Sequence, residues 1–232
     1  MPPPSVDMAS SPAPEDGTEI QDHPDWQSGD FTLISSDGWR FKAPSYSLFH
    51  ASSVLRDAPT GGPQQITFTD ESIETAKVLE HFLSLAVNSR LDPQRPQAWD
   101  ADFRNILPGT LDVYANLISF LHKYDCTATL RTFCGEVLIL VNYRSIEPLE
   151  AFSLGAIAAD KDLCAASLSM IDTSGDGDIV PIGEIESFVW EMADPRYMFA
   201  LVRTKSAFEV EEDHDPLAKT FLYYLNIAKL CK

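Results

Sequence analysis

The side chains best arranged for chemistry lie in Asp172-Thr173-Ser174-Gly175-Asp176-Gly177-Asp178-Ile179, where carboxylates alternate with small residues. Alternating oxygen donors around a glycine is the pattern of a calcium loop. Asp172, Ser174, Asp176 and Gly177 fall at its positions 1, 3, 5 and 6, and Ile179 at position 8. The twelfth position should supply a bidentate glutamate, but it is Gly183; Glu184 comes one residue late, and Pro181 sits where the exiting helix should begin. A site lacking that carboxylate is open and weak, so Asp172–Gly183 is expected to be an acidic turn between two helices. A calcium response through it stands as an alternative.

The other reactive residue types form no constellation. His23, His50, His81, His122 and His214 are dispersed, with no metal-ligand spacing and no neighbouring nucleophile pattern. Cys126, Cys134, Cys164 and Cys231 include no CxxC pair, and each lies in or beside an apolar helical pattern. Buried, reduced thiols are expected rather than a disulfide frame or a zinc site. Thr60-Gly61-Gly62 lacks the lysine and the following helix of a phosphate loop. No enzyme, cofactor or metal is expected on these grounds.

Composition narrows the partners. The 232 residues carry a formal charge of −18 and are 44% hydrophobic. Such a chain folds, and its charge repels phosphate backbones and anionic lipid surfaces while leaving basic protein surfaces open to it. No apolar run reaches the length of a membrane span, and the first residues show neither the basic nor the apolar region of a secretory signal. A cytoplasmic or nuclear protein that binds proteins, and neither nucleic acid nor membrane, is expected.

The elements follow in order. Residues 1–25, rich in Pro, Ser, Asp and Glu, are expected to be a disordered acidic tail. Phe31 to Ile34, then Trp39-Arg40-Phe41-Lys42, predict two strands joined by the Asp37-Gly38 turn. Pro44 stops the second strand, and Leu48, Ala51, Val54, Leu55 and Ala58 then recur at helical spacing. Ile66-Thr67-Phe68-Thr69 predicts a third strand after the Pro59–Pro63 loop. Asp70 or Ser72 is expected to cap the next helix, with Glu71 and Glu74 at its positive end and Ile73, Ala76, Leu79, Leu83 and Ala86 as its stripe.

Residues 88–109 break the pattern as a surface insertion. Helices resume with Leu111, Tyr114, Leu117, Ile118 and Leu121, and then with Leu130, Phe133, Cys134, Val137, Leu138 and Val141. Gly135 in the second of these is expected to mark a close helix crossing. Beyond Ile146 the reading stays helical. Leu163, Ala166 and Met170 form one apolar face there, and Tyr197, Phe199, Leu201 and Val202 another after the Asp194-Pro195 start signal. Asp215-Pro216 opens the last helix in the same way.

Taken in this order, residues 26–141 resemble a BTB/POZ domain. Asp30-Phe31-Thr32-Leu33 is similar to its opening strand and Gly38–Ala43 to its second. Ser47-Leu48 with Ser52–Asp57 is similar to its first helical pair, and Leu117–Tyr124 with Leu130–Leu138 to the closing pair that includes a Lys-Tyr sequence. Many members have histidine where Pro44 stands, so the buried polar contact of that histidine is expected to be absent.

The resemblance implies an α+β BTB/POZ-like domain with short strands capped by helices, followed by an all-helical extension over 142–232. It also implies a self-associating, dimeric interaction module and, in some members, a substrate adaptor for a cullin-based ubiquitin ligase. A transcriptional or scaffolding cofactor that dimerises and recruits is the alternative. Tyr46, Phe49 and His50, at i, i+3 and i+4 on a face distinct from Leu48, are the candidate partner-binding residues, in the region that often contributes to dimerisation in that family.

Overall fold

The computed structural model describes residues 20–57, 64–91, 110–171, 180–208 and 216–230. The Pro59–Pro63 loop, the Asp172–Ile179 stretch, His214, Cys231, residues 1–19 of the tail and most of the insertion lie outside these residues.

The tail ends sooner than residue 25, because Gln21–Gln27 form a strand, β1. Two more strands follow, β2 (Phe31–Ile34) and β3 (Trp39–Ala43), paired antiparallel with Leu33 opposite Phe41. Period-two alternation holds here. Phe41 and Ala43 are buried with Lys42 exposed between them, and Phe31 and Leu33 are buried in the partner strand. At the turn, Gly38 takes φ 86°, a left-handed conformation that glycine tolerates best. The hydroxyl of Ser35 closes the turn by accepting from the Trp39 N–H at 2.9 Å.

Two short helices, α1 (Ser45–Ala51) and α2 (Ser53–Arg56), lead to β4 (Gln65–Thr67), which lies parallel to β2. Across the sheet the order is β1-β3-β2-β4. β4 is shorter than expected, although Phe68 still donates its N–H to the Ile34 carbonyl at 2.8 Å and is buried. Val54, expected in the core, is exposed in α2.

The next helix, α3 (Ala76–Asn88), starts later than either expected cap. Asp70 instead accepts from the N–H and hydroxyl of Ser72 in a local turn. The Ala76 N–H is taken by Asp37 Oδ1 at 2.8 Å, so the β2–β3 turn caps this helix from a distance. Then come α4 (Thr110–Lys123) and α5 (Thr127–Asn142), whose expected apolar faces are buried or packed against the core. Pro148 opens α6 (Pro148–Ile157) behind a capping box made by Glu147 and Glu150. Every residue from Ala151 to Ile157 is buried, since α6 packs against α4, α5, α7 (Lys161–Ser169) and α8 (Ser187–Met192). Pro195 sits at the start of α9 (Pro195–Phe208), as its signal predicts, and α9 packs against α10 (Leu217–Leu230).

The described residues thus form a mixed α+β structure with one four-stranded sheet and ten α-helices. A single buried set runs from Phe31 to Leu225, so the helices after Asn142 dock on the first unit instead of standing apart. Met170, Phe199 and Val202, all placed on apolar faces by the sequence, are exposed; the buried stripe of α9 is Tyr197, Met198, Ala200, Leu201 and Thr204. No helix among the described residues is long and apolar enough to cross a membrane.

Among the described residues Gly155 and Gly29 set close approaches, whereas around Gly135 a Cβ would meet nothing within 4 Å. At Gly155 in α6 a Cβ would lie 2.8 Å from Cys164 Sγ and 3.1 Å from the Cys164 backbone nitrogen, which makes Gly155 the true crossing point of α6 and α7. At Gly29 (φ 152°) the chain steps across the end of β3, and a Cβ would lie 2.2 Å from the Ala43 carbonyl carbon. Gly29→Ala should cost about 3 kcal/mol or more, because backbone on both sides would have to move. Gly135→Ala should be neutral or stabilising by up to about 1 kcal/mol in the same chemical-denaturation series. Equal midpoints for the two variants would contradict the crossing at Ala43.

Candidate interaction surface

The α1 helix is held at both ends by side chains from elsewhere. Its N-terminal residue follows Pro44, which has no side-chain cap to offer. Asp30 supplies the missing acceptor, taking the Ser45 N–H at 2.8 Å and the Ser45 hydroxyl at 2.7 Å. Those two bonds hold the Asp30 carboxyl below its ordinary range. At the other end Ser52 bonds in both directions, accepting from Leu55 N–H at 3.0 Å and donating to the Tyr124 carbonyl at 2.6 Å. Next to it, Ser53 donates to Asp125 Oδ2 at 2.6 Å.

With α1 fixed in this way, its two faces differ sharply. Ser47, Leu48 and Ala51 are buried. Tyr46 is 74% exposed, and His50, one turn on, is exposed as well. Phe49 is set apart from that pair: it is half-buried, its ring edge-on to Phe31 at 5.6 Å. The candidate trio therefore separates into two solvent-facing rings and one wedge seated against the sheet.

Behind α1 lies a polar cluster that the sequence placed on the surface. Glu74 was expected at the open end of a helix, but it is 2% exposed and turned inward. One carboxylate oxygen accepts the N–H groups of Thr69 and Asp70, at 2.8 and 2.7 Å. The other accepts the Tyr124 hydroxyl at 2.5 Å and the Lys123 ammonium at 2.7 Å. Lys123 also reaches Asp70 at 3.1 Å, and the Glu74 carbonyl accepts the Ser36 N–H at 3.0 Å. One residue, through its carboxylate and its carbonyl, thereby joins the β2–β3 turn, the end of β4, the approach to α3 and the end of α4.

Burial alone would raise the Glu74 carboxyl, but the Lys123 ammonium, the Tyr124 hydroxyl and the backbone donors outweigh it and bring the group below its ordinary range. Asp70 is lowered to about 2 by the Ser72 hydroxyl first and then by Lys123. Burial, then Glu74, raises Tyr124. Lys123 is raised by its bond to Glu74.

The remaining reactive types stay apart. His81 is buried edge-on to Tyr114 at 5.3 Å, while His23 stacks on Phe41 at 4.6 Å. Cys126, Cys134 and Cys164 are free and buried. Burial pushes the first two thiols up to about 12, far from a reactive thiolate. Among the described residues no three His, Cys, Asp or Glu side chains gather as a metal site. Sequence reasoning missed the exposure of Phe199 and Val202. The signal was present: they fall out of phase with Tyr197, Leu201 and Thr204, which repeat at i, i+4 and i+7.

A carboxyl depressed on folding stabilises above its unfolded value and loses that contribution as pH falls through the folded one. For Glu74 the loss therefore begins below its ordinary 4.5. Glu74→Gln should lower unfolding free energy at neutral pH by about 2–3 kcal/mol, since an amide cannot accept all four donors. It should also flatten the acid limb of the stability profile in urea titrations from neutral to acid pH. Parallel acid limbs in parent and variant would show that Glu74 is not the titrating group.

Comparison of the chain with family models, curated proteins and solved structures gives no match in any of the three.

Proposed function

We propose that the chain is a non-enzymatic, BTB/POZ-type interaction module that self-associates through the solvent face of α1 and recruits a second protein, as a substrate adaptor for a cullin-based ubiquitin ligase. The observation that carries the reading is the pairing of Tyr46, 74% exposed, with exposed His50 on a helix whose two ends are both anchored. Aromatic anchors on fixed elements dominate interface energies, and Tyr46 stands on such an element. A second copy of the chain presents the same face and gives an isologous contact.

The order of elements supports this reading. A hairpin of β2 and β3, the α1–α2 pair, a strand parallel to β2, then α3 and the α4–α5 pair follow in the sequence the resemblance implies. Asp30 provides at Ser45 a polar anchor of its own beside Pro44, where many members carry histidine. Recruitment of a partner falls to surfaces away from α1.

Light scattering tests the first half. The parent chain should run as a dimer at micromolar concentration, and Tyr46→Asp with His50→Asp should weaken association by about tenfold or more, with an unchanged circular dichroism spectrum because neither side chain is in the core. A parent that stays monomeric, or a variant of unchanged mass, would remove α1 as the interface. For the second half, a cullin captured with the chain from its native cell supports the adaptor role; chromatin proteins without a cullin would favour the transcriptional cofactor.

A further inference from the structure

The α5 helix keeps one side in solvent. It is buried through Phe133, Cys134, Val137, Leu140 and Val141, where it meets α1, α3, α4, α6 and α7. On the opposite side Ala128, Gly135, Ile139 and the closing residue Tyr143 are exposed at i, i+7, i+11 and i+15, with Thr132 half-buried among them. Ile139 is 47% and Tyr143 79% exposed. Gly135 stands at the middle of this stripe. Glycine inside a helix costs about 1 kcal/mol relative to alanine. No close packing within the chain calls for it here, since a Cβ would meet nothing within 4 Å.

Charge and size are both patterned along the stripe. The chain is at −18, yet the stripe carries one cation, exposed Arg131 at its edge, and no acid. The carboxylate of α5, Glu136, lies to the side and accepts the Leu91 N–H at 3.1 Å. Ala128 and Thr132 make the first half of the stripe small, whereas Ile139 and Tyr143 make the second half large. Turned end over end about Gly135, this pattern is its own complement. Such a two-fold sets Gly135 against its copy, Thr132 against Ile139, and Ala128 against Asn142 and Tyr143. A parallel pairing would instead bring Tyr143 against Tyr143 and hold the glycines apart.

From this pattern we infer that a second copy of the chain docks on the outer face of α5, antiparallel, with the two helices crossing at Gly135. The missing Cβ lets the backbones approach at the crossing, and each small half receives the large half of the other copy. Arg131 then lies beside the last turn of the second copy's α5, the negative end of its helix dipole. Two strongly anionic molecules thus meet where neither presents an acid on the facing stripe. The stripe runs about 22 Å along a helix about 10 Å wide, so it buries less than the roughly 1,200 Å² of a lasting complex. The pairing is therefore reversible and follows concentration. It stands independently of the proposed contact through α1. If both hold, two isologous faces on one chain carry assembly past the dimer.

The test uses the full chain carrying Tyr46→Asp and His50→Asp, so that association through α1 does not contribute. In sedimentation velocity its average mass should rise with concentration, and Gly135→Leu or Ile139→Asp should weaken that association by about tenfold. Both positions are exposed, so circular dichroism spectra should be unchanged. Oxidation with diamide should link Gly135→Cys into a disulfide dimer well above the background of the same chain without that substitution. Tyr143→Cys should stay at background, because an antiparallel pair holds its two copies about 24 Å apart along the helices. The inference is overturned if mass does not rise with concentration, if neither substitution alters the rise, or if Tyr143→Cys cross-links as readily as Gly135→Cys. A Gly135→Cys thiol shielded from maleimide at every dilution would assign the face to a segment of the same chain and overturn it likewise.

Discussion

The architecture depends on a single buried carboxylate. Glu74 sits between the last residues of the sheet and the end of α4, and four donors converge on it: two backbone N–H groups, a phenol and an ammonium. A carboxylate removed from water is tolerated only when such donors replace its hydration. Tyr124 is the second pivot, because its carbonyl accepts from Ser52 while its hydroxyl serves Glu74. The C-terminal end of α1 is tied into this chain of bonds through Ser52, while Asp30 holds its start and Leu48 and Ala51 seat it on the core, so residues elsewhere in the sequence help to set the position of Tyr46 and His50.

That arrangement explains what was legible in the sequence and what was not. Strands β2 and β3, the α1 core residues and the apolar faces of α4 and α5 follow from periodicity, since burial on one side of a regular element writes itself into every second or every third and fourth residue. Glu74 could not be read this way. A carboxylate near a helix start is ordinarily a solvated partner of the helix dipole, and only the distant Lys123-Tyr124 pair turns it inward. The start of α3 was misplaced for the same reason, its first N–H being capped by Asp37 from another turn.

Strand β1 escaped because it buries little; His23 stacking on Phe41 and half-buried Trp26 are its main side-chain anchors. In the helical half, apolar residues are so frequent that two phases fit the same segment. The wrong phase in α9 hid Phe199 and Val202. Of the candidate surface, Tyr46 and His50 were visible from helical spacing alone, and Phe49 was not separable from them without the Phe31 contact.

Strand β1 also limits how copies of this chain can meet. It occupies the outer edge of the sheet beside β3, and carries Asp22, Pro24 and Asp25 within seven residues. Proline has no N–H to offer, and paired acids repel an approaching strand of this strongly anionic chain. On the opposite edge β4 is three residues long. Among the described residues, both edges of the sheet thus discourage strand addition, the simplest way for sheet proteins to associate or aggregate.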